Sequence, residues 1–234
     1  GRPGLTQTNE PLRKPGRFSM DAETSRLFPS GFSDENGTPE GWTDGELGSI
    51  CRNIRENCAP DEIGESDKYV ALDHFDRRCI TLWRSGLGGD ATSNKSRFKK
   101  GDLLFGKLRP YFHKVAIAPF DGLCSTDVLV IRAKKPEMAT FSYFALFQDR
   151  VIKHATATSE GTKMPRTNWS RLAAYRIAIP PAPLMDSFHK AVFPMCERMA
   201  AIASENENLV ALRDTLLPRL LSGKLLVSAS SSDD

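Results

Sequence analysis

Hydrophobic and polar positions divide the chain into three zones. Over residues 1 to about 40, apolar residues are few and follow no period, with Gly, Pro, Ser and charged residues between them. That pattern predicts a linker or a loosely packed lead-in. From Trp42 to about Pro183, short apolar runs alternate with turn residues. Residues 47–54 and 69–72 are brief apolar pieces, while 103–105, 115–118 and 128–132 are β-type runs punctuated at Gly101-Asp102, 119–122 and 134–136. Residues 141–154, FSYFALFQDRVIKH, predict one helix with Phe144, Phe147 and Val151 at helical spacing. Residues 175–179 predict a last strand, stopped by Pro180 and Pro181. This mixture predicts an α+β domain over residues 41–183.

The third zone differs in kind. Phe188, Val192, Met195, Met199, Ile202, Asn206, Leu209, Arg213, Leu216 and Leu220 recur at alternating spacings of four and three, the seam of a coiled coil. A long coiled-coil-type helix is expected over 184–225, followed by a flexible tail at 226–234. Pro194 and Pro218 each remove a backbone donor, so a break or kink is expected near each, or a helix restarting at Pro194. Asn206 in the seam costs stability and can fix register or partner number. Two readings stay open: the helix pairs with another, or it packs on its own domain. The apolar set extends about 45 Å at 1.5 Å per residue, and a domain of this size offers little surface to cover that length.

Composition narrows the classes. A chain of 234 residues with 40% hydrophobic and 26% charged residues has enough apolar material for one sizeable core or two small ones. It holds no apolar run of eighteen or more residues, and its start, GRPGLTQTNEPLRKPGR, has no signal-peptide core, so a cytoplasmic protein without a membrane partner is expected. The absence of an initiator Met suggests a fragment or a processed chain. Five cysteines without a C-x-x-C pair argue against a disulfide framework and a structural zinc site. Charge is uneven. Residues 34–67 carry ten acidic residues against two arginines, and residues 68–116 carry eleven Lys and Arg against four Asp. That asymmetry predicts a basic face, with chance clustering on a solvated surface as the alternative.

Catalytic patterns are scarce. SGLGGD at 85–90 lacks the Lys and Ser/Thr of a phosphate loop and reads as a turn. IPPA at 179–182 lacks the polar and aromatic residues that hold a flipped adenine. His74, His113, His154 and His189 form no local metal-ligand spacing, and Cys124 and Ser125 have no evident partner histidine. What remains is recognition chemistry. Lys95, Arg97, Lys99, Lys100, Lys107, Arg109 and Lys114 are interleaved with Phe98, Tyr111 and Phe112, a mixture suited to neutralising phosphates and reaching base edges.

Three stretches carry a family resemblance: GDLLFGKLRPYFHKVAIAPFDGLCSTDVLVIR, SEGTKMPRTNWSRLAAYRIAIPPAP, and the helix end LRDTLLPRLLSGKL. Together, from about Thr38 to Val227, they resemble the specificity (S) subunit of type I restriction-modification systems. A full subunit of that family has two tandem target-recognition domains, each followed by a long helix, and this chain has one copy. The lead-in resembles the segment joining the first helix to the second domain. The resemblance therefore implies the C-terminal half of a longer subunit, with a natural half-subunit that homodimerises as the alternative. It implies a non-catalytic protein that reads one half of a bipartite double-stranded DNA target and needs no cofactor of its own. Methylation subunits would bring S-adenosylmethionine, and a restriction subunit would bring ATP and Mg. A second S half would join through the long helix. In that frame Lys107, Arg109, Tyr111, Lys114, Arg97, Lys163 and Arg166 are candidates for phosphate positioning. Arg77, Arg78, Arg84 and Asn94, from the less family-like 73–94 stretch, are candidates for base reading. An isolated nuclease or methyltransferase and a protein-interaction module without DNA affinity are the competing classes.

Overall fold

The computed structural model describes residues 25–32, 38–90 and 93–223. Most of the lead-in and all of the 226–234 tail lie outside the described residues. The fold is α+β, and among the described residues the strands form three sheets. The central sheet has the antiparallel order β2 (Cys51–Ile54), β10 (Val128–Ala133), β7 (Leu103–Gly106), β8 (Val115–Ile117). A five-stranded sheet runs β3 (Asn57–Cys58), β6 (Lys95–Phe98), β9 (Gly122–Cys124), β4 (Lys68–Val70), β5 (Gly86–Leu87), with β4 and β9 parallel. A small ribbon pairs β1 (Thr43–Glu46) with β11 (Arg176–Ile179) and so closes the two ends of the domain on each other. Among the described residues the α-helices within and after the domain are α1 (Leu47–Ile50), α2 (Ala139–Leu146), α3 (Asp149–Ala157), α4 (Trp169–Ala173) and α5 (Ala182–Leu221).

The central strands read as continuous apolar runs because they are covered on both faces. Alternate residues point to opposite faces. Leu103, Phe105, Val115, Leu129 and Ile131 meet α1–α4 through Leu47, Ile50, Tyr143, Leu146, Val151 and Leu172. Leu104, Ala116, Val128 and Val130 point the other way and meet Val70, Phe75, Leu82 and Phe98 from the five-stranded sheet and its loops. The molecule is thus layered, helices on sheet on sheet, with two cores back to back.

Two local expectations are corrected. Residues 141–154 are not one helix: Gln148 is extended at ψ 142° and separates α2 from α3. The break resets the helical register, so Tyr143 and Leu146, then Val151 and Ile152, face the core while Phe144 is exposed. Residues 69–72, a short apolar piece in the sequence, complete strand β4 as far as Val70 and lead into a short 3-10 segment at Leu72–His74. Finally, α5 runs through Pro194 and Pro218 without interruption or restart. Each proline frees the carbonyl four residues earlier. Lys190 and Pro194, and likewise Asp214 and Pro218, sit on exposed positions where water can take that carbonyl.

The long helix packs on its own domain over part of its length. Its first two-thirds lie on the domain through Leu184, Met185, Cys196 and Ala203, with Thr140 Oγ1 2.9 Å from His189 Nδ1. The seam expected from sequence lies roughly a quarter-turn away around the helix. Met195 is 63% and Leu209 55% exposed; Phe188, Ile202, Asn206 and Leu220 are exposed, and Val192, Met199 and Leu216 are half-buried. All five cysteines are free, and burial pushes the Cys51 and Cys124 thiols up to about 12. Phe105 is fully buried at the centre of the helix-side core. Truncation to Phe105→Ala is expected to cost about 3–5 kcal/mol, read as a lowered urea midpoint with unchanged m-value.

Candidate nucleic-acid interface

The cations in the middle of the strand-rich segment lie on a hairpin tip. Residues 107–114 connect β7 to β8, and the Gly106 N–H donates to the Lys114 carbonyl at 2.8 Å to close the hairpin. A Cβ at Gly106 would stand 2.9 Å from Leu72 Cδ2 and 3.2 Å from the Lys114 carbonyl oxygen, so the hairpin closes tightly only on glycine. Pro110–Phe112 form a 3-10 turn flanked by Arg109 and His113, both left-handed at φ 50° and 52°. Such backbone costs about 1–3 kcal/mol per non-glycine residue and persists only when neighbours hold it. Here they do: the Arg109 N–H donates to the Pro165 carbonyl at 2.7 Å, and the Arg78 N–H donates to the His113 carbonyl at 3.0 Å.

On one side of the tip lies the 71–85 loop, anchored in the core by Phe75 and Leu82. The Arg77 guanidinium stacks 4.0 Å from the Phe112 ring centroid, and Tyr111, half exposed, packs edge-on against the same ring. Lys114 Nζ donates to the Leu72 carbonyl at 2.5 Å. Burial, and next the Arg77 charge, hold the Lys114 ammonium below its ordinary pKa; Arg84 adds to this, while Asp73 and Asp76 oppose it. Arg77, Arg84 and Lys114 therefore share one patch. Arg84 Nη2 pairs with Asp76 Oδ1 at 2.5 Å, and Arg78 donates to both Asp149 oxygens at 2.6 Å.

On the other side lies the TKMPR loop. Leu108 and Arg166 form a β-bridge, and the Thr167 N–H donates to the Lys107 carbonyl at 3.0 Å. Arg166 Nε pairs with Asp127 Oδ1 at 2.9 Å, Arg109 Nη2 donates to the Lys163 carbonyl at 3.4 Å, and Lys163 is exposed. Three segments distant in sequence thus meet at the tip with Arg77, Arg78, Arg84, Lys107, Arg109, Tyr111, Lys114, Lys163 and Arg166. Arg97 and Asn94 belong elsewhere: Arg97 leans on Cys58 Sγ and the Glu62 carbonyl beside β3, and Asn94 is exposed ahead of β6. Lys95 is buried and caps the Ser93 carbonyl. The carboxylates of Asp127 and Asp149 were not legible as partners, because the Arg166–Asp127 and Arg78–Asp149 pairs bridge elements far apart in the chain. Exposed pairs of this kind contribute about 0–1 kcal/mol, so a phosphate can displace the carboxylate at little cost. Among the described residues no group of three or more His, Cys, Asp or Glu could hold a metal ion.

The family model described as "Type I restriction modification DNA specificity domain" matches residues 39–184. The chain belongs to that family. The type I restriction enzyme EcoDI specificity subunit of Escherichia coli is 28% identical, over 89% of this chain and 52% of its own. The HindI specificity subunit of Haemophilus influenzae is 33% identical, over 91% of this chain and 49% of its own. The chain spans about half the length of these curated relatives. Among solved structures, the HsdS subunit from Thermoanaerobacter tengcongensis shares the fold at TM-score 0.54 and 23% identity, covering 86% of this chain and 53% of that one. A chain from a study of complex assembly and conformational transition of the type I R-M system does so at TM-score 0.55 and 24% identity, over 84% of this chain and 52% of that one.

In this specificity domain, His113 supports the tip from beneath. It is 3% exposed, its ring lies 4.5 Å from that of Phe147, and its Nδ1 stands 3.4 Å from Asp149 Oδ1. Burial first, and then the Arg78 guanidinium, hold its pKa below the ordinary value of about 6.5, with Asp149 offsetting part of the shift. The folded state therefore binds fewer protons than the unfolded state just below that value, and stability falls as pH drops through it toward the lower folded pKa. A His113→Asn variant, which tolerates the left-handed backbone, is expected to flatten the fall in melting temperature between about pH 6.5 and pH 5. Thermal denaturation across that range checks it.

Proposed function

We propose that this chain reads one half of a bipartite double-stranded DNA target for a type I restriction-modification complex. Residues 41–183 form the recognition unit, and the helix over 184–225 serves as spacer and assembly element. The observation that carries this reading is the convergence of three loops, each bringing cations, around the β7–β8 hairpin of a domain that belongs to the specificity family. Lys107, Arg109, Lys114, Tyr111, Lys163 and Arg166 are assigned to phosphate positioning, with Arg97 as an outlying contact. Arg77, Arg78 and Arg84 are assigned to base reading in the major groove, with Asn94, which lies apart from the tip, as an outlying candidate; Arg donates to guanine acceptors and Asn reads adenine. The chain has no catalytic role in this scheme. Methylation subunits with S-adenosylmethionine and a restriction subunit with ATP and Mg supply the chemistry, in the cytoplasm where their DNA substrate resides. None of the described helices is long and apolar enough to cross a membrane.

The helix seam gives the assembly reading its own support. Met195, Ile202, Leu209 and Leu220 form an exposed apolar row suited to a second S half, whether the other part of a longer subunit or a second copy of this chain. Homodimerisation is checked by light scattering, with the doubled mass expected to disappear in Leu209→Glu.

DNA reading is tested by titrations at several salt concentrations, with this chain alone and with a matching methylation subunit. Lys107→Ala is expected to weaken binding to all sequences alike and to reduce the salt slope by about 0.9. Arg77→Ala is expected to cost about 1–3 kcal/mol on cognate DNA and little on random DNA. Absence of salt-dependent affinity in both states, with the partner shown to bind the chain, overturns the reading in favour of an interaction module.

A further inference from the structure

Glu207 occupies an unusual place in the long helix. It is half-buried, Lys68 Nζ donates to its Oε2 at 2.5 Å, and Ser85 Oγ donates to its Oε1 at 2.8 Å. Both carboxylate oxygens are therefore held by the domain. The two donors are the feet of a single loop. Lys68 opens β4, Ser85 directly precedes β5, and the pairing of Lys68 with Leu87 and Tyr69 with Gly86 closes the intervening segment, which carries Arg77, Arg78 and Arg84. The Lys68 foot is itself fixed. Its ammonium lies 4.3 Å from the Phe120 ring centroid, and its carbonyl is so close to Gly122 that a Cβ there would stand 2.7 Å from it.

Beyond this contact the helix leaves the domain: from 208 to 221 every residue is exposed except Leu216, which is half-buried. Burial alone would raise the Glu207 pKa, but the hydrogen bonds from Lys68 and Ser85 and the Lys68 charge together hold the carboxyl below its ordinary value, so the clasp is charged at neutral pH.

We infer that Glu207 is a positioning residue, clasping both feet of the 71–85 loop to the point where the helix departs and thereby fixing the direction of the distal helix relative to the reading loop. The inference rests on the DNA-reading proposal only for its consequence. A helix that spaces two half-sites must leave each domain at a set angle, and here a single carboxylate links that angle to the loop that carries the candidate base readers. Apolar packing through Cys196 and Ala203 brings the helix onto the domain; the clasp removes the remaining freedom at its exit.

The test uses the full chain with nitroxides attached through unnatural amino acids at Ser66 and Thr215, both exposed, leaving the native cysteines untouched. Pulsed dipolar spectroscopy should give a narrow distance distribution for the unsubstituted chain and a clearly broader one for Glu207→Ala, with the melting temperature nearly unchanged. Lys68→Met and Ser85→Ala, which sever the clasp from the domain side, should broaden it as well. In the assembled complex, Glu207→Ala should keep single half-site affinity within about two-fold while losing about ten-fold discrimination between the correct gap and one that is a base pair longer. An unbroadened distribution in all three variants overturns the clasp. That arm needs no DNA, so its failure is distinct from failure of the unsubstituted chain to bind DNA, which overturns the reading instead.

Discussion

The two-sided burial of the central sheet is the constraint on which the rest of the molecule depends. β7 and β10 carry apolar side chains on both faces, so neither face can be left to water, and each recruits its own cover. Helices α1 to α4 take one side and the five-stranded sheet takes the other. Once both faces are filled, the only way for the chain to carry charge on these strands is at their ends. The β7–β8 turn is such an end, which is why Lys107, Arg109 and Lys114 emerge there and the strands beside them contain none.

A rigid base also explains how the tip can hold unfavourable backbone. Arg109 and His113 keep left-handed angles because loops from both flanks take their main-chain groups, and those loops are in turn anchored by Phe75, Leu82 and the Leu108–Arg166 bridge. The charged side chains then stand on a scaffold that does not need to reorganise when it meets an anion. Their carboxylate partners, the exposed Asp76 and Asp149 and the half-buried Asp127, keep the guanidiniums oriented in the absence of one.

Much of this was legible in the residues. The runs at 103–105, 115–118 and 128–132 became β7, β8 and β10 nearly residue for residue, because strands buried on both faces announce themselves by uninterrupted hydrophobicity. The long helix was equally plain from its period. Other features were not. The break at Gln148 has no Gly or Pro to signal it and comes from how α2 and α3 pack on the sheet. Pro194 carries a helix-breaking signal that the solvated surface of α5 renders harmless. The seam expected from the period is largely exposed, and the face of α5 that meets the domain is a different one, marked only by scattered residues such as Cys196, Ala203 and Glu207. For the interface, the cations of 77–84, 107–114 and 163–166 come together at the tip, while Arg97 and Lys95 lie apart from it, since nothing local says that β6 belongs to the other sheet.

The left-handed residues at the tip bear on how such a domain can change its preferences over generations. At 78 and 109, replacement by Gly or Asn relieves backbone energy while removing a bulky side chain, so these positions can shed a contact without unsettling the loop, whereas the buried His113 ring cannot be removed without leaving a gap under the tip. Val, Ile and Thr are shut out, because branching at Cβ makes the same backbone angles worse. Variation there is channelled: the loop can trade one polar or small residue for another and keep its shape, and drift toward apolar branched residues is closed.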